Sequence, residues 1–415
     1  MKNIVVIPLL VVALILPLMG CGTVANKDGL AIASDVDYGK DDYQKINSAN
    51  NELGFRLLSK VDSDEHGNIF ISPTSLLMAL SMVYNGADGE TKEEIAKALQ
   101  AEGIDVEDLN KANASLMSML HDRSEDIELN VANSIWLNDH FHFQDPFKAN
   151  TEDYFNAMIE EVDIRDSKTP DAINNWVKKS TNGKIEDIVD SPLDQNIVSI
   201  LINAIYFNGN WTHAFNEELT EDRPFYLEDG STKDVPVMTL NEKLAYMENE
   251  YIQAVTLPYG EKEDMSMNVI LPKENTSIEE MSTLLTNENW QAWKEELTPQ
   301  EGTVMLPKFQ LEYETILNQS LEKLGMKTAF NKDKANFQKM IQEDEQIWIS
   351  EVKQKTFIDV NEKGTEAAAA TSVEMKMTSA PIDAPFIMEI NRPFLIMITD
   401  HSTDTILFMG SIYNP

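Results

Sequence analysis

From residue 361 to residue 381 the chain reads NEKGTEAAAATSVEMKMTSAP, between two strand-like segments near its carboxyl end. The stretch is too long for a hairpin turn. Its four consecutive alanines favour a short exposed helix. Its polarity nevertheless alternates with a period of two, which is typical of a strand. The residues able to face a core are Thr365, Ala367, Ala369, Thr371, Val373, Met375 and Met377. The alternate set suits water or a sheet surface and comprises Glu366, Ala368, Ala370, Ser372, Glu374, Lys376 and Thr378.

This stretch is therefore a strand pattern in the position of a loop. Small residues fill its first half, and the first proline after residue 361 is Pro381. Because proline blocks a strand ladder and bulky side chains resist entry, the stretch is suited to slide between two existing strands.

The rest of the chain supplies a body for such a strand. Apolar residues at helical spacing predict helices over Tyr43 to Val61, Ser72 to Tyr84, Thr91 to Leu99 and Val106 to His121. Residues rich in β-branched and aromatic types predict strands over Leu129 to Leu137, Ile197 to Phe207, Met265 to Leu271, Gly302 to Tyr313, Ile347 to Val360 and Phe386 to Thr399. Helices segregated from long strands indicate an α+β body. We expect one large domain, because the sequence after Asp42 contains no internal repeat and no Gly/Ser-rich linker.

The composition excludes several functional classes. Of the 415 residues, 42% are hydrophobic, which is enough to bury a sizeable core. The net charge is -37, from 33 basic and 70 acidic residues, so phosphate backbones would be repelled and we expect no nucleic-acid partner.

The amino terminus predicts export. Lys2 precedes an apolar run from Ile4 to Leu18, which is too short to span a bilayer. The following Leu18-Met19-Gly20-Cys21 resembles the lipobox of prokaryotic lipoproteins, and the alternative is a plain secreted protein. We expect a signal peptide over residues 1–20, lipidation of Cys21, a flexible tether over residues 21–42, and attachment to the cell envelope or exposure to the extracellular space. The single cysteine excludes an intrachain disulfide and a multi-cysteine metal site.

Several short motifs, in order, carry a resemblance to a known family. Glu362-x-Gly364-Thr365-Glu366-Ala367-Ala368-Ala369-Ala370-Thr371 resembles the hinge of the reactive-centre loop in an inhibitory serpin. Further matches are Asn68-Ile69-Phe70-Ile71-Ser72-Pro73-x-Ser75, Asn203-Ala204-Ile205-Tyr206-Phe207-x-Gly209-x-Trp211, Leu306-Pro307-Lys308-Phe309 and Asn391-Arg392-Pro393-Phe394. Each match is weak alone, but their shared order is specific.

The resemblance implies a serpin domain over residues 43–415 with three β-sheets, eight or nine helices and an exposed reactive-centre loop at about residues 361–385. It also implies suicide-substrate inhibition, in which a protease cuts the loop and the freed hinge enters the main sheet and traps the acyl-enzyme. Strain in the uncut body would drive insertion, so the intact protein would be metastable. We expect a monomer without cofactor.

The same resemblance implies the site residues. The sheet-opening region would contain Ser72, Ser75, Asn203, Trp211 and Gln354. The family usually has histidine at the position of Gln354, so we expect less pH sensitivity there. Glutamine retains the capacity to donate and accept hydrogen bonds.

The family usually cuts sixteen residues beyond the hinge glutamate, which places the reactive bond at Thr378-Ser379. A small uncharged residue before the cut favours elastase-like or subtilisin-like serine proteases, or papain-like cysteine proteases. Lys376 is an alternative cut for a trypsin-like protease, but it would shorten the hinge.

An enzyme is not supported, because the sequence lacks the His-Glu-x-x-His and Gly-x-Ser-x-Gly motifs and a phosphate-binding glycine loop. His140 and His142 have the spacing of a metal pair, but no third ligand lies near them in sequence, and we expect no metal site. Two other functions stay open. The first is a non-inhibitory serpin acting as a carrier or chaperone, and the second is an extracytoplasmic solute-binding lipoprotein, which would need two βαβ lobes.

Overall fold

The computed structural model describes residues 30–121, 126–365 and 384–415. These ranges contain nine α-helices and fifteen β-strands, so the α+β prediction is confirmed. The helices are α1 (Asn47–Leu58), α2 (Pro73–Gly86), α3 (Gly89–Ala98), α4 (Val106–His121), α5 (Asp145–Phe155), α6 (Thr169–Ser180), α7 (Ile278–Leu284), α8 (Asn287–Glu296) and α9 (Asn318–Lys323). Short 3-10 helices cover Asp42–Lys45, Glu217–Leu219 and Thr328–Phe330.

The strands fall into two hydrogen-bonded sheets. They are β1 (Ile69–Ile71), β2 (Ile127–Asn138), β3 (Met158–Val162), β4 (Ser199–Asn210), β5 (Glu221–Tyr226), β6 (Thr232–Glu248), β7 (Ile252–Tyr259), β8 (Met265–Pro272), β9 (Thr298–Pro307), β10 (Phe309–Ile316), β11 (Glu351–Asn361), β12 (Gly364–Thr365), β13 (Phe386–Glu389), β14 (Phe394–Asp400) and β15 (Thr405–Ile412).

The main sheet has six strands in the order β10-β11-β12-β4-β2-β3. Its central strand β4 is covered on both faces, which explains its nearly continuous apolar sequence. Leu201, Ile205 and Phe207 face the large core that contains α2. Ile200 and Tyr206 face a second core that contains α6. The main sheet is therefore sandwiched between two apolar layers.

The second sheet has nine strands, β1-β15-β14-β8-β7-β6-β9-β13 with β5 paired to β6. The 17-residue strand β6 pairs successively with β5, β9 and β7. This long strand joins what would otherwise be two smaller sheets. The expected three sheets are thus present as two hydrogen-bonded networks.

Helix α2 lies behind the main sheet and begins where the sequence predicts. The hydroxyl of Ser72 accepts a hydrogen bond from the Ser75 amide at 3.2 Å, and Pro73 occupies the first turn, where its missing amide hydrogen is not needed. Nearly every residue of α2 is buried, because both sheets and neighbouring helices pack around it.

Two predicted strands are each divided in the structure. The segment Gly302 to Tyr313 divides at Lys308, because β9 belongs to the nine-stranded sheet and β10 to the main sheet. The segment Phe386 to Thr399 divides between Glu389 and Phe394, because β13 pairs with β9 whereas β14 pairs with β8 and β15. Pro393 lies in this second break and has no amide hydrogen for a ladder.

The tether prediction for residues 21–42 is wrong for the part that the structure describes. Leu30 is buried in the main core, Ile32 packs against that core, and the carbonyl of Lys40 accepts a hydrogen bond from Ser115 of α4 at 2.8 Å. Apolar side chains at the start of this segment favour contact with the body over solvent. The described part of the packed body therefore includes Leu30.

Candidate strand-insertion site

The start of the predicted hinge already lies inside the main sheet. The two-residue strand β12 pairs antiparallel with β11 through Thr365 and Val360, and antiparallel with β4 through Thr365 and Gly209. Thr365 has an exposed fraction of 0%. The segment expected as an exposed loop from about residue 361 therefore starts, in its described part, with a turn at residues 362–363 and a strand within the main sheet at Gly364–Thr365.

Gly364 makes this entry possible. A Cβ atom added there would lie 2.1 Å from the carbonyl oxygen of Gly209 and 2.7 Å from the Cα of Asn210. Any side chain would therefore force the two backbones apart. The glycine is needed for close approach rather than for a left-handed backbone.

The side chain of Thr365 ends in a buried hydrogen bond. Its hydroxyl lies 2.6 Å from the hydroxyl of Tyr259. Burial raises the pKa of the Tyr259 phenol, which is neutral and can donate this bond. The Tyr259 ring stacks on Trp211 with ring centroids 4.4 Å apart. Thr365, the first inward residue of the hinge, therefore contacts the stacked pair of Tyr259 and Trp211 through Tyr259.

Trp211 also holds the chain that leads into the hinge. Its indole nitrogen donates to the carbonyl of Asn361 at 2.9 Å, and its amide donates to the carbonyl of Lys363 at 2.9 Å. Trp211 therefore lies beside β12, where the carboxyl ends of β4 and β11 are separated.

Glu362 makes further contacts that hold the chain leading into β12. Its carboxylate accepts hydrogen bonds from Lys308 at 2.9 Å and from Thr220 at 2.8 Å, and its side chain is 9% exposed. Burial opposes ionisation, but these donors outweigh it and hold the pKa of Glu362 below its usual value. The carboxylate is therefore ionised at neutral pH and fixes the turn before β12.

Below the hinge the main sheet is closed. Strands β4 and β11 pair directly with each other, in parallel, from Ile200 with Glu351 to Tyr206 with Phe357. The sheet is open only where β12 separates their carboxyl ends. Further insertion must therefore separate these seven residue pairs.

Four of the predicted sheet-opening residues, all except Trp211, meet beneath this closed region. The Gln354 side chain accepts from the Ser72 amide at 3.1 Å and donates to the Ser72 carbonyl at 3.0 Å and to Asn203 Oδ1 at 2.7 Å. The Asn203 amide donates in turn to Ser75 and, at 2.6 Å, to Asn133. These side chains link β4 and β11 to the start of α2 in a buried polar cluster.

Sequence reasoning missed a group of ion pairs around Lys355 on the other face of the sheet, which we call the Lys355 clamp. The Lys355 side chain, 5% exposed, lies 2.6 Å from Glu312 and 3.4 Å from Glu314 of β10, and 3.0 Å from Asp187 in the connection between α6 and β4. Burial disfavours its charge, but these acids outweigh it and raise the pKa of Lys355. A lysine within a predicted strand was the available signal. Lys308 and Tyr259 were likewise not among the predicted site residues.

Other predicted residues lie outside the described ranges. They are Cys21, the remaining hinge residues Glu366, Ala367, Ala368, Ala369, Ala370 and Thr371, and the bond Thr378-Ser379.

Within the described ranges, the side chains form no group of three potential metal ligands. His142 pairs with Glu343, with 2.7 Å between Nδ1 and Oε1, and is solvent-exposed. Of the helices described, none has the length and apolar character needed to cross a bilayer.

A family model described as "Serpin (serine protease inhibitor)" matches residues 48–415. The chain belongs to the serpin family. It is 33% identical over 374 residues to Iripin-2 of Ixodes ricinus, covering 89% of this chain and 93% of that protein. It is 34% identical over 387 residues to the leukocyte elastase inhibitor of Equus caballus, covering 90% of this chain and 100% of that protein.

The solved native structure of the thermophilic serpin tengpin has the same fold. The TM-score is 0.84 at 36% identity, and the alignment covers 94% of this chain and 99% of tengpin. Serpins are protease inhibitors rather than enzymes, in agreement with the family model and with the named inhibitor among the relatives.

Proposed function

We propose that this serpin is a suicide-substrate inhibitor of serine endopeptidases, with papain-like cysteine endopeptidases as a second target class. The observation that carries the proposal is the position of β12, which pairs with both β4 and β11 at the only place where they are separated. A hinge that has begun to enter the sheet can continue in the same register once the directly paired residues of β4 and β11 separate.

That register can be extended along both neighbours. Three residues beyond Thr365, Ala368 would lie opposite Phe357 of β11 and Tyr206 of β4, and those two residues now pair with each other. The two ladders thus agree on one register for a strand inserted between β11 and β4. Small residues at positions 367–370 would meet the least steric resistance where the strands first separate.

The same register also places the inward-facing hinge residues on the face of the sheet that contacts the large core. Directly opposed residues of a ladder share a face, so the inward set would lie with Phe207, Ile205 and Leu201 against the large core. Thr371 would come between Asn203 and Gln354, whose mutual hydrogen bond must break when the strands separate. A hydroxyl at that position can satisfy the amide groups that insertion would otherwise leave unpaired.

The proposed chemistry begins at the carbonyl carbon of Thr378. The protease nucleophile forms an ester or thioester with it, the bond to Ser379 breaks, and the Ser379 nitrogen takes the proton to become a free amine. Insertion would then carry the acylated protease away before water completes hydrolysis. The small uncharged Thr378 supports elastase-like and subtilisin-like proteases as targets.

The decisive experiment introduces a charge on the inward set. Thr365→Arg would place a guanidinium against Tyr259 in a fully buried position, and an unpaired buried charge opposes insertion. We expect wild type to form an SDS-stable complex with an elastase-type protease, and the variant to be cleaved without one. Thr283→Arg, at an exposed position of α7, is the matched control. Equal complex yields for Thr365→Arg and the control would contradict insertion.

We further propose that the protein is exported and anchored through a lipid on Cys21, which is supported by the lipobox-like Leu18-Met19-Gly20-Cys21. Cys21→Ser is expected to move the protein from the membrane fraction to the soluble fraction of cells that express it. Retention of the variant in the membrane fraction would refute the anchor.

A further inference from the structure

A group of serine hydrogen bonds closes the main sheet at its end away from β12, where β4 and β11 begin. Next to the seven ladder pairs, the Ser350 amide donates to the Ser199 carbonyl at 3.0 Å. The Ser350 hydroxyl accepts from the Val198 amide at 2.9 Å, and the Ser199 hydroxyl donates to the Trp348 carbonyl at 3.0 Å. We call these three hydrogen bonds the serine latch.

Each side of the serine latch is fixed to its own half of the sheet. On the β11 side, the carbonyl of Ser350 accepts from the side chain of Asn318, which follows β10, at 2.8 Å. On the β4 side, the carbonyl of Val198 accepts from the amide of Asn138, the last residue of β2, at 2.9 Å. Strand β10 is paired with β11 and β2 with β4, so the serine latch crosses between two separately paired halves.

Two of the three hydrogen bonds use serine hydroxyl groups instead of backbone pairing. Backbone groups that lose a neighbour when a strand enters can pair with the backbone of that strand. The ladder fixes no such replacement for a bond made by a hydroxyl group. Ser199 is 3% exposed, so water does not readily replace its bond either. Opening the serine latch is therefore harder than opening a ladder of the same length.

The register of β12 places the serine latch at the last step of insertion. A strand extended from Thr365 in this register brings residues 368–374 opposite the seven directly paired residues of β4 and β11. Residue 375 would come opposite both Ser199 and Ser350. The residues from 375 to the proposed cut can therefore enter only after the serine latch opens.

We propose that Ser199 and Ser350 are positioning residues for the trapping step, because the serine latch limits the rate of complete insertion. The inference rests on the proposed inhibitory function and assigns its slow step to two side chains remote from the loop. While the serine latch is closed, at most about 14 Å of extended chain leads from residue 374 to the acylated Thr378 outside the sheet.

This delay favours hydrolysis over trapping. Water can attack the carbonyl carbon of Thr378, which breaks the ester, returns the proton to the protease hydroxyl and leaves a carboxylate on Thr378. Opening of the serine latch completes insertion before this reaction occurs. The two serines thus act on the step after acylation, whereas the loop sequence determines acylation itself.

The test removes one hydroxyl group and measures two rates. Ser199→Ala is expected to raise the limiting first-order rate constant of inhibition, at saturating elastase-type protease, about 3-fold to 10-fold, because one hydrogen bond across the latch is lost. The rate of loop cleavage at low protease concentration, followed by the carboxyl-terminal fragment on denaturing gels, should stay at the wild-type value. A general loss of stability would not separate these two rates in this way.

Ser320→Ala is the matched control. Ser320 is also 3% exposed, and its hydroxyl also donates to a backbone carbonyl at 3.0 Å, that of Lys60. This bond joins α9 to the residues after α1 and does not cross between β4 and β11. We expect the control to lose a similar amount of stability and to keep the wild-type limiting rate constant.

A second pair of variants tests the serine latch from its β11 side and applies even if Ser199→Ala does not fold. Ser350→Ala is expected to inhibit faster, and Ser350→Thr, which retains the hydroxyl acceptor for Val198, to inhibit at the wild-type limiting rate. Equal limiting rate constants for Ser199→Ala and Ser320→Ala, or for Ser350→Ala and Ser350→Thr, would overturn the serine latch while trapped complexes still form. Absence of any trapped complex with wild type would instead refute the proposed function itself.

Discussion

Glu362 is the residue whose charge most directly connects the hinge to the body. Its partners Lys308 and Thr220 come from other strands or loops, so their hydrogen bonds hold the turn before β12 in place. Because the pKa of Glu362 is lowered in the folded protein, its contribution to stability is present above the unfolded pKa of about 4.3 and is lost as the pH falls through the folded value.

The variant Glu362→Gln tests this contribution. We expect it to lower the free energy of unfolding at pH 7 by roughly 1 to 2 kcal/mol, since the exposed Lys308 end of the pair is partly screened by solvent. The difference from wild type should shrink as the pH falls below about 4. Denaturant unfolding at pH 7, 5 and 3.5 measures it, and a difference that stays constant over this range would show that ionisation of Glu362 is not involved.

Gln354 shows how a departure from the family pattern is accommodated. Its amide forms three hydrogen bonds, two to the backbone of Ser72 and one to Asn203, with no titratable group. The hydrogen-bonding capacity could be read from the sequence. The resemblance, and not the local pattern, placed Ser72, Asn203 and Gln354 in one region, because Ser72 and Gln354 are 282 residues apart in sequence.

Among the secondary-structure elements, local pattern was sufficient for some and insufficient for others. Helix α4 begins and ends at the predicted residues, since a regular apolar spacing defines it without reference to neighbours. The strands β9 and β10 were predicted as one, because both have strand-like sequences and only their pairing partners differ. Sequence pattern does not show which sheet a strand joins.

Strand β12 is the element on which insertion depends, and Gly364→Ala tests it. The added Cβ would lie 2.1 Å from the Gly209 oxygen, so β12 must shift out of the sheet and uncover Trp211 and Tyr259. We expect a red shift of tryptophan fluorescence, a stability loss of roughly 1 to 3 kcal/mol and a higher stoichiometry of inhibition.

The matched control for this variant is Gly39→Ala. Gly39 is exposed, and an added Cβ there would contact only the flexible side chain of Asp42. Equal fluorescence and stoichiometry in the two variants would show that the close approach of Gly364 to β4 is not needed.

For the molecule as a whole, the structure presents a sheet with a partly filled opening. The opening holds two residues of hinge, and seven directly paired residues of β4 and β11 close the path below them. The buried cluster around Gln354 on one face and the Lys355 clamp on the other hold that path shut. Such a body can gain a central strand only after both sets of contacts rearrange, which is a barrier that keeps the uncut protein in its initial state.

Cutting the loop should therefore convert the protein into a more stable form. Up to twelve further residues, 366–377, could join the main sheet with inward side chains against the large core. Ordering each added residue costs about 1 to 2 kcal/mol and so offsets the roughly 1 kcal/mol of its new ladder hydrogen bond, which leaves relief of strain as the source of the gain. We expect the melting temperature to rise by about 10 °C or more after limited cleavage by a subtilisin-type protease. Calorimetry of intact and nicked protein measures the rise, and nicked Thr365→Arg, in which entry is blocked at the first step, should show none. Identical melting temperatures for intact and nicked wild type would mean that the hinge does not enter the sheet, and the trapping mechanism would then be wrong.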